Sequence, residues 1–221
     1  ACIVVHMNAG RSLRRLGLMV AVLVASVVLI SCGDDGSGDG SLSLAGVVRT
    51  PALDVSTVTL PNASDPATPV TMKADAGGLM LVYFGYTSCP DICPTTMSDM
   101  SVAMGDLSDE RAERVSVAMV TVDPDRDSGE VLDAYLGHFF ERTVSLRTED
   151  PAELLDATNA FGVQFEVADH QAGDDAYEVS HTAVTYVVDD TGTVVVEWPF
   201  GFESADMTAD LNAIFDRADA A

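Results

Sequence analysis

The chain has 221 residues, 11 Lys+Arg against 35 Asp+Glu, and a formal net charge of −24. That length suits one globular domain plus a leader, and 48% hydrophobic residues supply a core, so global disorder is excluded. The acidic excess argues against nucleic acid as a partner, because phosphates are repelled over most of the surface. The single lysine, Lys73, leaves no polybasic patch for a membrane surface, and four cysteines are too few for a disulfide scaffold.

Residues 1–31 read as an export signal. Arg11, Arg14 and Arg15 form a positive start, and residues 16–30 are an apolar run broken only by Gly17 and Ser26. The run is shorter than the roughly 20 residues of a membrane span. It ends in Leu29-Ile30-Ser31-Cys32, followed by Gly33-Asp34-Asp35-Gly36. Apolar, small, small, Cys resembles a bacterial lipobox, which implies cleavage before Cys32 and a lipid on its thiol. The domain is then expected outside the cytoplasm, at the outer face of the bacterial cytoplasmic membrane. Residues 32–45 are a Gly/Ser/Asp linker, and residues 46–221 form the domain. Beyond residue 31 the balance is 8 basic to 35 acidic residues, a well-solvated surface.

Within the domain, residues 55–60 and 69–72 are expected to be two short strands joined by a turn-rich segment, an N-terminal β-hairpin. Residues 79–84, Leu-Met-Leu-Val-Tyr-Phe, are a continuous apolar run and read as a buried central strand. A helix follows, with Pro94 in its first turn, to about Leu107. Residues 115–122 are a second buried strand, 129–140 a helix and 144–146 a short strand. Residues 151–161 are a helix with Pro151 at its start and Gly162 at its end. Residues 181–188 and 193–198 are two strands around the hairpin turn Asp189-Asp190-Thr191-Gly192. Residues 204–217 close the chain as a helix. The order predicts an α/β fold with a central mixed sheet flanked by helices.

Only Cys89 and Cys93 lie in the domain, at the passage from the buried strand into the helix. A helix N-terminus favours negative charge and lowers a thiol pKa there. Strand, Cys-x-x-Cys, helix would read as a thioredoxin-like redox motif, but here three residues intervene. A disulfide needs sulfurs about 2.05 Å apart. Two thiolates on one metal stand wider, each bond being about 2.3 Å. The longer loop serves both states. Two thiolates alone suit Cu(I), and an added imidazole also admits Cu(II); a structural zinc would want four ligands.

Of the histidines, His6 is in the leader, while His138 in a helix and His170 in an acidic loop are expected to be solvated. His181 opens the strand at 181–188. In thioredoxin-like folds the loop before this strand passes beside the cysteine turn, which would bring the imidazole against Cys89 and Cys93.

The run Tyr83-Phe84-Gly85-Tyr86-Thr87-Ser88-Cys89-Pro90-Asp91-Ile92-Cys93-Pro94 closely resembles the signature of the Sco/SenC copper-binding proteins. Asp123-Pro124-Asp125-Arg126-Asp127 resembles their acidic segment after the second strand, and Val179-Ser180-His181-Thr182 their histidine segment. The matches fall in family order over roughly residues 50–218. The resemblance implies a thioredoxin-like fold, one copper held by Cys89, Cys93 and His181, and assistance in building the binuclear copper centre of cytochrome c oxidase. Such proteins deliver copper to the receiving subunit or reduce its cysteines. One departure is Ser180, where the family often has Asp, a carboxylate that would orient the imidazole.

Asp123, Asp125 and Asp127 either tune the site, dock a partner, or form a solvated turn. Met97, Met100 and Met104 lie at helical spacing and read as core rather than copper ligands. At least one of Phe84 and Tyr86 is expected to shield the site, and residues 198–202 to pack at the sheet end. Residues 169–178 read as a mobile acidic loop that swings His181 in and out. The reading is a lipid-anchored, monomeric copper chaperone that needs an external thiol reductant in an oxidising compartment. The rivals are a thiol–disulfide oxidoreductase working without metal, with Cys89 and Cys93 as its redox pair, and a copper or redox sensor. A peroxidase fits less well.

Overall fold

The computed structural model describes residues 43–220. The leader, Cys32 and most of the linker lie outside the described residues. No described helix is long and apolar enough to cross a membrane.

The chain forms β1 (Thr59–Leu60), β2 (Val70–Thr71), β3 (Leu79–Gly85), α1 (Ile92–Gly105), α2 (Asp109–Ala112), β4 (Val115–Thr121) and α3 (Gly129–Gly137). It continues through β5 (Thr143–Leu146), α4 (Pro151–Phe161), β6 (Phe165–Val167), β7 (Val179–His181), β8 (Val184–Val188), β9 (Val194–Pro199) and α5 (Ser204–Asp219). The main sheet has five strands in the order β5-β4-β3-β8-β9, with β4 and β5 parallel and β8 antiparallel to their inner neighbours. The expected mixed sheet flanked by helices is therefore the architecture. β3 is central, paired on both edges and buried at all seven residues, which explains an apolar run without alternation. The two-stranded β1–β2 pair is the expected hairpin, shorter than predicted because Val55 bonds to Gly192 and turns onto Val58, leaving only the Val58 carbonyl, which accepts from Met72, to reach the partner segment.

Helix boundaries follow local chemistry. α4 starts with Asp150 accepting from the Ala152 N–H at 2.9 Å, with Pro151 where no donor is needed, and stops at Gly162 with φ 72°. α2 was not predicted; a single turn capped by Ser108 is too short to show a period.

The main departure lies at 165–188. The strand expected over 181–188 is two strands, broken at Thr182-Ala183. β8 belongs to the main sheet, whereas β7 pairs antiparallel with the unpredicted β6 in a separate ribbon. His181 therefore closes β7 rather than opening the buried strand. Three-residue strands with alternating partial exposure carry little sequence signal.

Candidate metal centre

Three side chains from two separate arms meet at the C-terminal end of β3. The first arm is the passage from β3 to α1. Gly85, the last residue of β3, has no room for a side chain: a Cβ there would lie 2.6 Å from Tyr83 Cε1 and 3.2 Å from Cys93 Sγ. Cys89 is half-buried in the following turn, and Cys93, in the first turn of α1, is fully buried. The Cys93 N–H is one of the helix donors without an intrahelical acceptor, and it donates to Cys89 Sγ at 3.4 Å. Burial pushes the Cys89 thiol up, but hydrogen bonds from Cys93 and the Asp91 backbone outweigh it, leaving Cys89 below the ordinary thiol value. Cys93, sealed by burial and beside Cys89, is pushed up to about 12. Both thiols are free.

The second arm is the β6–β7 ribbon. Its last residue, His181, is half-buried, with Nε2 3.4 Å from Cys93 Sγ. Its Nδ1 faces the Thr182 carbonyl at 3.1 Å. A carbonyl can only accept, so Nδ1 carries the proton and Nε2 presents its lone pair to the sulfurs. Burial holds the imidazole below its ordinary pKa, so it is neutral and able to ligate. Tyr83 and Tyr86 stand edge-on to the ring, at centroid distances of 5.7 and 5.9 Å. The Tyr83 hydroxyl donates towards Cys93 Sγ at 3.8 Å, and the Tyr86 hydroxyl donates to the Val179 carbonyl at 3.1 Å.

The two sulfurs and the imidazole nitrogen all lie within 4.8 Å of one another. Three donors in a plane around one ion, with bonds of about 2.0–2.3 Å, stand roughly 4 Å apart. The donor set fits a single soft ion with small side-chain adjustments. Two thiolates and an imidazole are the ligand types that accept copper in either oxidation state.

The acidic segment is neither a solvated turn nor a docking surface at its ends. Asp123 is 1% and Asp127 0% exposed. Asp127 accepts from the Thr87 N–H at 3.1 Å, the Thr87 hydroxyl at 2.5 Å and the Thr121 hydroxyl at 2.6 Å, which ties the cysteine turn to the end of β4. Its burial raises its pKa against the effect of those donors. Asp123 accepts from Arg126 and Tyr177, each at 2.5 Å. Only Asp125 is exposed, and it pairs with His170 Nε2 at 2.9 Å.

Several other expectations need correction. His170 is not simply solvated: its ring stacks on Tyr177 at 3.8 Å, and its side chain is 17% exposed. His138 is exposed, as expected. Residues 169–178 are anchored through Tyr177 and His170 rather than free. Of the two candidate shields, Tyr86 covers His181, whereas Phe84 points into the core against Phe161 and Tyr186. Tyr83 and Tyr86 reach the same ring because the strand ends at Gly85 and the alternation is lost. Met97 and Met100 are fully buried core residues and Met104 packs against that core, as expected of a helix face turned inward. Trp198 packs, donating to Asp210 at 2.9 Å and stacking on Phe202, while Phe200 is exposed. The anchoring role of Thr87, Thr121 and Tyr177 went unread in the sequence, because lone hydroxyls carry no pattern.

The sequence profile of the SCO1/SenC family matches residues 62–216. A SCO2-like protein of Rickettsia prowazekii is 36% identical over 116 residues, covering 52% of this chain and 56% of that protein. The chain thus spans little more than half the length of the curated relatives it matches. Among solved structures, apo Sco1 from Thermus thermophilus is 30% identical with a TM-score of 0.62, covering 80% of this chain and 96% of that one. Bradyrhizobium japonicum ScoI with copper bound is 29% identical with a TM-score of 0.59, covering 70% and 95%. With the profile matched over most of the chain and the family's fold beneath it, this protein belongs to the SCO1/SenC family.

Proposed function

We propose that this protein is an extracytoplasmic copper chaperone that carries one copper on Cys89 Sγ, Cys93 Sγ and His181 Nε2. The observation that carries the reading is the convergence of these three donors within 4.8 Å, with the imidazole lone pair turned inward. Cu(I) is held by the two thiolates; the imidazole completes a site for Cu(II). Cargo rather than structural metal is favoured by the small ligand set and by half-buried Cys89, at which an incoming thiolate can displace a bond. The recipient is the copper-receiving subunit of cytochrome c oxidase, as the family resemblance implies. If the pair arrives oxidised, an external dithiol supplies two electrons and two protons, turning the Cys89–Cys93 disulfide into two thiols before loading. A lipid on Cys32 would hold the domain, as a monomer, at the outer face of the cytoplasmic membrane.

The test is copper stoichiometry of the reduced protein, loaded without oxygen. One copper per chain is expected. His181→Ala is expected to remove the sulfur-to-Cu(II) colour while leaving Cu(I) bound. No copper uptake, or an unchanged Cu(II) spectrum in His181→Ala, overturns the assignment.

One observation favours a second reading. A half-buried cysteine with a lowered pKa beside a buried partner pushed up to about 12 is the asymmetry of a dithiol reductase. Cys89 would attack a partner disulfide and Cys93 would resolve the mixed disulfide, leaving the partner reduced and the pair oxidised. Turnover of disulfide substrates with no copper present, unaffected by His181→Ala, would select it.

A further inference from the structure

The ligand His181 sits on a ribbon outside the main sheet, so something other than the sheet ladder must hold it at the sulfurs. The ribbon base is fixed by Thr182 N–H donating to the Gln164 carbonyl at 2.8 Å and Gln164 N–H donating to the Thr182 hydroxyl at 3.0 Å. At the other end, the chain enters β7 through Tyr177, four residues before His181. The Tyr177 hydroxyl donates to buried Asp123 at 2.5 Å. Arg126 donates to the other oxygen of Asp123 and to the carbonyls of Asp175 and Tyr177, at 3.1 and 3.3 Å. Its guanidinium lies 3.8 Å over the Tyr177 ring and 5.6 Å from the centre of Tyr86, the ring that stands edge-on to His181.

One peptide, Asp123 to Asp127, therefore grips both arms. Asp127 holds Thr87 of the cysteine turn, and Asp123 with Arg126 holds the entry to the histidine strand. These contacts, none of which involves a ligand atom, act beside the direct tie from the Tyr86 hydroxyl of the cysteine arm to the Val179 carbonyl of the histidine strand.

We propose that Tyr177, held by Asp123 and Arg126, is a positioning residue that keeps His181 against Cys89 and Cys93 and so sets how long Cu(II) is retained. The inference rests on the copper reading above. Cu(I), satisfied by two thiolates, depends on it far less than Cu(II), which needs the imidazole. Ser180, exposed beside the ligand, offers no carboxylate; the Thr182 carbonyl turns the ring, and the latch of Tyr177, Asp123 and Arg126 places the strand that carries it.

Tyr177→Phe removes the hydroxyl and keeps the ring; Asp123→Asn keeps the shape and removes the charge. In each metal-free, reduced variant, backbone amides of Val179 to His181 are expected to exchange hydrogen faster than in wild type. In each Cu(II)-loaded variant, loss of copper to EDTA is expected to be about tenfold faster, the order of one hydrogen bond to a charged group. Anaerobic Cu(I) stoichiometry is expected to stay at one. Wild-type Cu(II) release in both variants, or wild-type amide exchange in both, overturns the inference while the copper reading stands. A wild-type protein that takes up no copper overturns both.

Discussion

The two arms of the metal centre are built in different ways. The cysteine arm grows out of the core: β3 is buried along its whole length, and α1 begins one residue before Cys93. The histidine arm is a two-stranded ribbon off the main sheet, partly exposed along both strands and held by polar contacts at its ends. Hydrophobic burial makes the first arm stiff, whereas a short ribbon alone is marginal in water. The site thus has two sulfurs on a buried base and an imidazole on a ribbon whose hold is polar, so the two kinds of ligand are open to separate disruption.

The contrast can be broken first at the rigid arm. Cys93→Ser is expected to abolish copper uptake by either oxidation state, measured as copper per chain after desalting, because a single thiolate with an imidazole is a poor Cu(I) site. Copper content near wild type would mean that the cysteine arm is not the foundation. Next in size is its polar anchor. Asp127→Ala leaves the Thr87 N–H and the Thr87 and Thr121 hydroxyls without their buried acceptor. A loss of about 3 kcal/mol in urea unfolding is expected. A loss below about 1 kcal/mol would show that the turn stands without it.

A smaller effect separates the two thiols. Cys89 has its pKa lowered and is half-buried, whereas Cys93 is pushed up to about 12 and fully buried. Iodoacetamide is therefore expected to label Cys89 at least about tenfold faster than Cys93. Since the thiolate is the reactive form, the Cys89 rate rises with pH and reaches half its plateau below the midpoint of an unperturbed thiol. Equal rates, followed by peptide mass spectrometry, would remove the asymmetry. Copper uptake must also displace protons, above all from Cys93, so affinity is expected to strengthen as pH rises. The smallest effect is at the ribbon's outer rim. His170→Ala removes a ring stacked on Tyr177 and a pair with exposed Asp125, and is expected to change Cu(II) release by less than about twofold. A larger change would move the latch outward from Asp123.

The legible parts of this molecule were those with a repeating or local signal. β3 announced itself as an unbroken apolar run, α4 by Pro151 and Gly162, and the β8–β9 turn by Asp189 to Gly192, where Gly192 has φ 85°. The thiol pair was visible because two cysteines flanking a strand-to-helix passage meet few competing explanations. His181 was found by its place in a recurring fold rather than by its neighbours, and even so its strand was misassigned. Phe84 and Tyr86 could not be sorted as shields, since the end of a strand cancels the alternation that would have told them apart.

From the order of residues alone came the α/β class and the soft-donor chemistry of the cysteine pair, because apolar periodicity and thiol chemistry are properties of the residues themselves; His181 joined that pair only through the resemblance to a known family. Only the folded chain decided that Asp123 and Asp127 are buried anchors, that His181 rides on a ribbon, and that Tyr177 and Thr87 hold the two arms in register. Each of those facts depends on which surfaces become neighbours after the sheet closes. A carboxylate in a sequence looks the same whether water or two hydroxyls will surround it.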